Sequence, residues 1–182
     1  MAKSVNLRAD GISIVLCGSA GMGIQTVEGI LTGMLKLAGY NVFATKEYMS
    51  RVRGGNNSTE IRVSSKPVSA YVDRIDILVP LNKGAISHLK DRISADTVII
   101  GEAELLGDET SEGKSKFIET PFTKIASELG NKIYSNVVAA GTLAGLLGMK
   151  LDDICEYVKR VFSAKGADIV SGNVKAVEAG FR

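Results

Sequence analysis

The most restrictive feature of the chain is a strand–turn–helix unit near its N-terminus. Ile12 to Cys17 reads Ile-Ser-Ile-Val-Leu-Cys, a short apolar run rich in β-branched residues, as a strand buried on both faces requires. Gly18-Ser19-Ala20-Gly21-Met22-Gly23 follows. From Ile24 to Ala38, Val27, Ile30, Leu31, Met34 and Leu35 recur at helical spacing, so an amphipathic helix is expected. Gly39 stands where a helix C-terminus favours glycine. A buried strand that feeds a helix through a glycine turn points to an α/β arrangement of layers.

The rest of the chain continues the alternation. Asn41 to Thr45 begins a second strand. Ser58 to Ser64 alternates, with Thr59, Ile61 and Val63 on one side and Glu60, Arg62 and Ser64 on the other, which predicts a half-exposed strand. Ile75–Leu81, Thr97–Gly101 and Lys116–Thr120 read as further strands, Lys83–Asp91 as a short helix, and Gly107–Lys116 as a polar loop. Thr120-Pro121 is expected to cap and start a helix through Leu129, with proline in its first turn. Asn136–Met149 and Asp152–Val161 form a helical pair. The stretch Val137–Met149 is rich in Gly and Ala and too short to span a bilayer. It is expected to pack tightly against another helix or a partner chain. Together these elements predict an open α/β sheet covered by helices.

Composition removes several function classes. The 182 residues suit one domain, and 45% hydrophobic residues with only 5% aromatics imply a core of small aliphatic side chains. Twenty-two basic and 20 acidic residues leave a net charge of +2, with none of the aromatic–basic interleaving that nucleic-acid binders use. Cys17 and Cys155 form no Cys-x-x-Cys pair, so neither a zinc site nor an iron–sulfur cluster is encoded. Two free thiols fit a reducing cytoplasm, and Met1 to Asp10 lacks the apolar segment of a secretion signal. His88 is the only histidine, which leaves no Ser-His-Asp set. Asp73, Asp76, Glu102 and Glu104 flank strand ends and read as caps. No catalytic residue and no metal ligand is assigned.

Two loops favour an anion. Lys46, Arg51, Arg53 and Arg62 surround the pair Gly54-Gly55, and guanidinium forks beside open backbone suit a phosphate or carboxylate. Gly18, Gly21 and Gly23 run G-x-x-G-x-G, a variant of the turns that present helix N-terminal amides to an anion. Thr45, Lys46 and Glu47 occupy the place where a dinucleotide site carries its ribose-binding acid, and no Lys-Ser/Thr pair closes a P-loop. Both loops follow predicted strands, so both face one crevice if the strand order permits. The alternative is that each is a tight turn with a solvated basic rim.

The motifs are specific as a set. Gly18-Ser-Ala-Gly-Met-Gly-Ile-Gln25, Ala38-Gly39-Tyr40, Tyr48-Met-Ser-Arg-Val-Arg-Gly-Gly55 with Ser58, Ile75-Asp76-Ile-Leu-Val79 and Asn136-Val-Val-Ala-Ala-Gly-Thr-Leu143 together resemble the gamma subunit, or gamma domain, of the 2-oxoacid:ferredoxin oxidoreductases, over nearly the whole length. The resemblance implies a single Rossmann-like domain over residues 1–182, with an open, mostly parallel sheet and helices on its faces. It implies a holoenzyme that oxidatively decarboxylates a 2-oxoacid with coenzyme A, thiamine diphosphate, iron–sulfur clusters and ferredoxin. The thiamine diphosphate and clusters belong to partner alpha, beta and ferredoxin-like delta subunits, since their signatures are absent here.

In relatives the basic residue before the Gly-Gly pair is linked to coenzyme A, which carries over to Arg53. Arg51, Gly54, Gly55, Tyr48 and the glycines 18, 21 and 23 are the accompanying candidates. Ala20 and Met22 depart from the family's glycine loop, which shifts that loop toward packing. Phe43-Ala-Thr-Lys-Glu-Tyr48 leans toward the 2-oxoglutarate branch. A fusion to an alpha domain and a homodimer of the isolated chain both stay open. Two other readings remain beside this one: a stand-alone nucleotide-binding regulatory domain, and a purely structural assembly subunit.

Overall fold

A computed structural model describes residues 11–19, 21, 23–48, 55–110 and 115–182. By internal contacts these fall into two compact units. The described residues of 11–24 and 41–121 form one, and those of 25–40 and 122–182 the other.

The first unit is a sheet. Its strands are β1 (Ile12–Gly18), β2 (Asn41–Glu47), β3 (Asn57–Ser64), β4 (Ile77–Pro80), β5 (Val98–Gly101) and β6 (Lys116–Glu119), in the spatial order β2-β3-β1-β4-β5-β6. β3 runs antiparallel to both β1 and β2, while β1, β4, β5 and β6 pair in parallel. The open, mostly parallel α/β sheet expected from the sequence is found. Every residue of β1 is buried, as its largely apolar run requires. On one face Val15, Cys17, Leu78 and Ile99 pack with Ile86 and Leu89 from the short helix α2 (Ala85–His88) and the turn after it. At the amino ends of β1 and β4, Asp76 Oδ2 accepts from the Ser13 N–H at 2.8 Å, and Arg74 holds Asp76 and donates to the Gly11 carbonyl at 3.0 Å. The Asp76 carboxylate is a cap, while that of Asp73 is solvated, 88% exposed.

β3 differs from expectation. It is not half-exposed: Ser58, Thr59, Glu60, Ile61, Val63 and Ser64 are all buried. The strand lies between two neighbours, and its polar side chains have partners of their own. Arg92 Nη1 donates to Glu60 Oε1 at 2.6 Å, and Arg62 Nη1 to the Ala70 carbonyl at 3.1 Å. The helix read over Lys83–Asp91 is likewise broken into α2 and a 3₁₀ turn, Lys90–Arg92. A short α3 (Ala103–Leu106) follows β5.

The second unit holds the longer helices: α1 (Ile24–Leu37), α4 (Phe122–Glu128), α5 (Ser135–Leu146), α6 (Leu151–Phe162) and α7 (Ala167–Phe181). Gly39, at φ 86°, closes α1, with the Tyr40 N–H reaching back to the Leu35 carbonyl as a left-handed terminus allows. α4 starts one residue beyond Pro121, and the Thr120 N–H donates to the Gly101 carbonyl in the sheet. α7 has no counterpart among the expected elements. It is the helix against which the Gly/Ala-rich α5 packs, as a tightly packed stretch was expected to do. Gly141 lies on the Val177 carbonyl and Gly180 on the Val138 carbonyl, each with no room for a Cβ. The Thr142 hydroxyl donates to the Gly180 carbonyl at 2.8 Å across the contact.

Candidate functional site

The sheet order answers the question left open by the two loops. The chain passes from β1 to one side of the sheet for β2 and β3, then returns to the other side for β4 to β6. The reversal lies between β1 and β4, and crevices at such a point, beyond the carboxyl ends of the strands, are where open α/β sheets take ligands. Gly18 ends β1 there. Asn57, the first residue of antiparallel β3, is opposite Gly18 in register, so Gly55 and Asn56 lead into β3 at this same edge. β4 ends at Pro80 beside Cys17, and the Leu81 N–H continues the ladder to the Cys17 carbonyl at 2.8 Å.

Asn82 occupies the junction. Its Nδ2 donates to Ser19 Oγ and to Asn56 Oδ1, each at 2.9 Å. The turn after β1 is thereby joined to the turn before β3 by one side chain. Behind it, Glu109 accepts from the Gly84 N–H at 3.0 Å and from Ser87 Oγ at 2.6 Å, which holds the segment carrying Asn82.

Of the expected site residues, Gly18 is explained by close approach: a Cβ there would meet Leu81 Cβ at 3.0 Å. Gly21 and Gly23 have φ of 92° and 76°, a conformation that supplies the bend and that side-chain-bearing residues rarely adopt. Gly55 is half-buried at the edge. Tyr48, 65% exposed, follows the last residue of β2, whose Glu47 is opposite Ser58. Arg51, Arg53 and Gly54 lie outside the described residues. Arg62 does not join them. It pairs with Ser13 near the other end of β1, five residues along β3 from Asn57, or ~17 Å at strand spacing. Lys46 is one residue from the end of β2, opposite Thr59. Asn56, Asn82 and Glu109 were not picked out by sequence motifs, and Ser19 only as a member of the glycine loop. Position is the signal that finds Asn82: it stands two residues past the carboxyl end of a central strand.

The thiols have the character of packing groups. Burial, with the carboxylates of Glu47 and Glu109 adding to it, pushes the Cys17 thiol up to about 12. Burial and then Glu178 raise Cys155 as well, whose Sγ is 3.7 Å from Glu178 Oε1. At pH 8 the Cys17 thiolate fraction is on the order of 10⁻⁴, and the thiolate is the reactive form. The native protein is therefore expected to resist alkylation of Cys17 by iodoacetamide at pH 8, while the urea-unfolded chain reacts readily. Equal labelling of Cys17 in both states contradicts this environment. Because the folded state holds this proton more tightly, the contribution to stability is full below the ordinary thiol range and is lost as pH rises toward 12.

An open, mostly parallel sheet with polar turns gathered at its switch point defines an α/β component with a candidate ligand edge. The chain belongs to the pyruvate ferredoxin/flavodoxin oxidoreductase family, which it matches over residues 13–182. The 2-oxoglutarate synthase subunit KorC of Archaeoglobus fulgidus is 27% identical over 183 residues, covering 100% of this chain and 88% of KorC. In fold, the chain is similar to a 2-oxoglutarate:ferredoxin oxidoreductase from Magnetococcus marinus solved with 2-oxoglutarate, coenzyme A and succinyl-CoA bound. The TM-score is 0.84 at 23% identity, over 95% of this chain and 31% of that one, so the chain spans about a third of that polypeptide. The gamma subunit of a keto/oxoacid ferredoxin oxidoreductase from Geobacter sulfurreducens PCA is similar nearly end to end, with a TM-score of 0.74, 21% identity, and coverage of 93% of this chain and 96% of that one. The resemblance carried by the glycine loop and the Tyr48–Gly55 segment is thus to the right family.

Among the described residues no helix is long and apolar enough to cross a membrane.

Proposed function

We propose that the chain serves as the gamma component of a cytoplasmic 2-oxoacid:ferredoxin oxidoreductase, as one domain of it, and that its sheet edge helps to hold coenzyme A. In this reading Arg53, assisted by Arg51, forks the phosphates of coenzyme A, and Gly54 and Gly55 let backbone approach them. Gly18, Gly21, Gly23 and Tyr48 border the same edge. Partner alpha, beta and delta-type subunits carry thiamine diphosphate and the iron–sulfur clusters, and ferredoxin takes the electrons. The 2-oxoacid is 2-oxoglutarate, a choice supported by the likeness to KorC across the full chain.

The observation that supports coenzyme A binding is the convergence at the switch point. Strand register and the Asn82 amide bring the glycine loop and the approach to β3 to one edge. A bare structural subunit has no need of a polar junction there. In the assembled enzyme, Arg53→Ala is expected to raise the coenzyme A concentration for half-maximal turnover with subunit assembly intact. One forked, charge-assisted contact is worth ~1.5–3 kcal/mol, which corresponds to roughly 10- to 150-fold in affinity. An unchanged coenzyme A requirement overturns the ligand role and leaves the assembly role.

A further inference from the structure

We propose that Asn82 is a positioning residue: its side-chain amide clasps the turn after β1 to the turn before β3 and so sets the geometry in which the two loops meet a ligand. The donor end of the amide is used twice, on Ser19 Oγ and Asn56 Oδ1. The other end is spent on nothing: Oδ1 is buried and has no hydrogen-bond partner among the described residues. It faces the space beside Gly18, where a Cβ would lie 3.4 Å from it. Turning the amide over exchanges the two ends but leaves one of them orphaned all the same.

A buried polar atom without a partner is destabilising, and natural proteins carry few of them. A leucine, which has the same branching and number of side-chain heavy atoms, removes the orphan at this position. That asparagine stands here instead is the pattern of a residue kept for what it holds in place, at the expense of stability. Its setting fits the role. Leu81 and Pro80, just before it, are in the ladder with Cys17, so its backbone is rigid. Glu109 fixes Gly84 and Ser87 just after it. The two turns it joins come from strands on opposite sides of the register pair Gly18–Asn57, and a ligand that touches both needs their spacing constant. The clasp stands on the hydrogen bonds alone, while its effect on a ligand rests on the coenzyme A reading above.

The test compares Asn82→Leu with the parent and with Arg53→Ala, all in the assembled enzyme. Amide hydrogen exchange followed by mass spectrometry reads the clasp. Asn82→Leu is expected to speed exchange about tenfold in the segment 18–23 and in the segment 55–57 together, with a melting temperature equal to or above that of the parent. Ser19→Ala, a milder change, is expected to speed only the first segment. Calorimetry with coenzyme A reads the consequence, an affinity lowered about tenfold in Asn82→Leu, of the order expected for a lost positioning contact. Unchanged exchange in both segments overturns the inference, as does a lowered melting temperature with exchange and affinity as in the parent. If Asn82→Leu loosens both turns while neither it nor Arg53→Ala alters coenzyme A affinity, the clasp stands and the coenzyme A reading fails. If Arg53→Ala weakens binding and Asn82→Leu does not, the coenzyme A reading stands and the positioning role fails.

Discussion

Replacing Gly180 or Gly141 by alanine is expected to lower stability by ~3 kcal/mol, the upper end of the usual cost of overpacking. The two glycines form a reciprocal contact: Gly141 of α5 is seated on the Val177 carbonyl of α7, and Gly180 of α7 on the Val138 carbonyl of α5. What a methyl group meets at each is backbone, which has no rotamer through which to escape. The helices must move apart, and the Thr142 bond to the Gly180 carbonyl is stretched with them. The opposing term is helix propensity, which favours alanine by ~1 kcal/mol and is too small to compensate. Gly29 of α1 provides the control, because among the described residues no atom outside its own helix backbone and chain neighbours lies within 4 Å of its Cβ position. Gly29→Ala is expected to raise stability by ~0.5–1 kcal/mol. Urea denaturation followed by circular dichroism reads all three. A Gly180→Ala midpoint equal to that of the parent contradicts the described packing.

The same pair of helices marks how far the sequence could be read. The close packing of α5 was legible because its residues are small and apolar all round, a composition that suits only burial. Its partner α7 was not. Gly172 and Gly180 argue locally against a helix, and what Gly180 allows is tertiary: the Val138 backbone comes too near for any side chain, and the Tyr134 ring end packs against Gly172. β1, its glycine turn and α1 were legible because each is encoded within a few residues. β3 was half-legible. Its alternation predicted a strand, but the burial of Glu60 depends on Arg92, 32 residues away. For the site, the glycine loop and the Tyr48–Gly55 segment could be found by motif, while Asn82 could not. Its role exists only once β4 is placed beside β1, and strand order is not a local property of the chain.

Arg92→Ala is expected to destabilise the sheet unit by about 3–5 kcal/mol, the usual effect of leaving one member of a buried ion pair behind. Arg92 Nη1 is 2.6 Å from Glu60 Oε1, with side chains only 18% and 10% exposed. The guanidinium also donates from Nε to the Asp73 carbonyl at 2.8 Å. The Asp73 carboxylate, at 3.4 Å and 88% exposed, adds little, because water screens it. Without Arg92, neither oxygen of Glu60 keeps a partner among the described residues, since Oε2 already lacks one. The carboxylate is then held between β1 and β2, with Val15 and Thr45 as its strand neighbours, where a lone charge is costly. For a chain of this size that loss corresponds to a melting temperature lower by roughly 6–20 °C. The double variant Glu60→Leu/Arg92→Met separates loss of the pair from exposure of a bare charge. It removes both ions and keeps the volume, so it is expected to recover most of the stability. If the double variant melts as low as Arg92→Ala, the cost lies in the Arg92 bond to the Asp73 carbonyl and not in a stranded Glu60. If Arg92→Ala melts with the parent, the pair contributes nothing and the burial of β3 needs another cause.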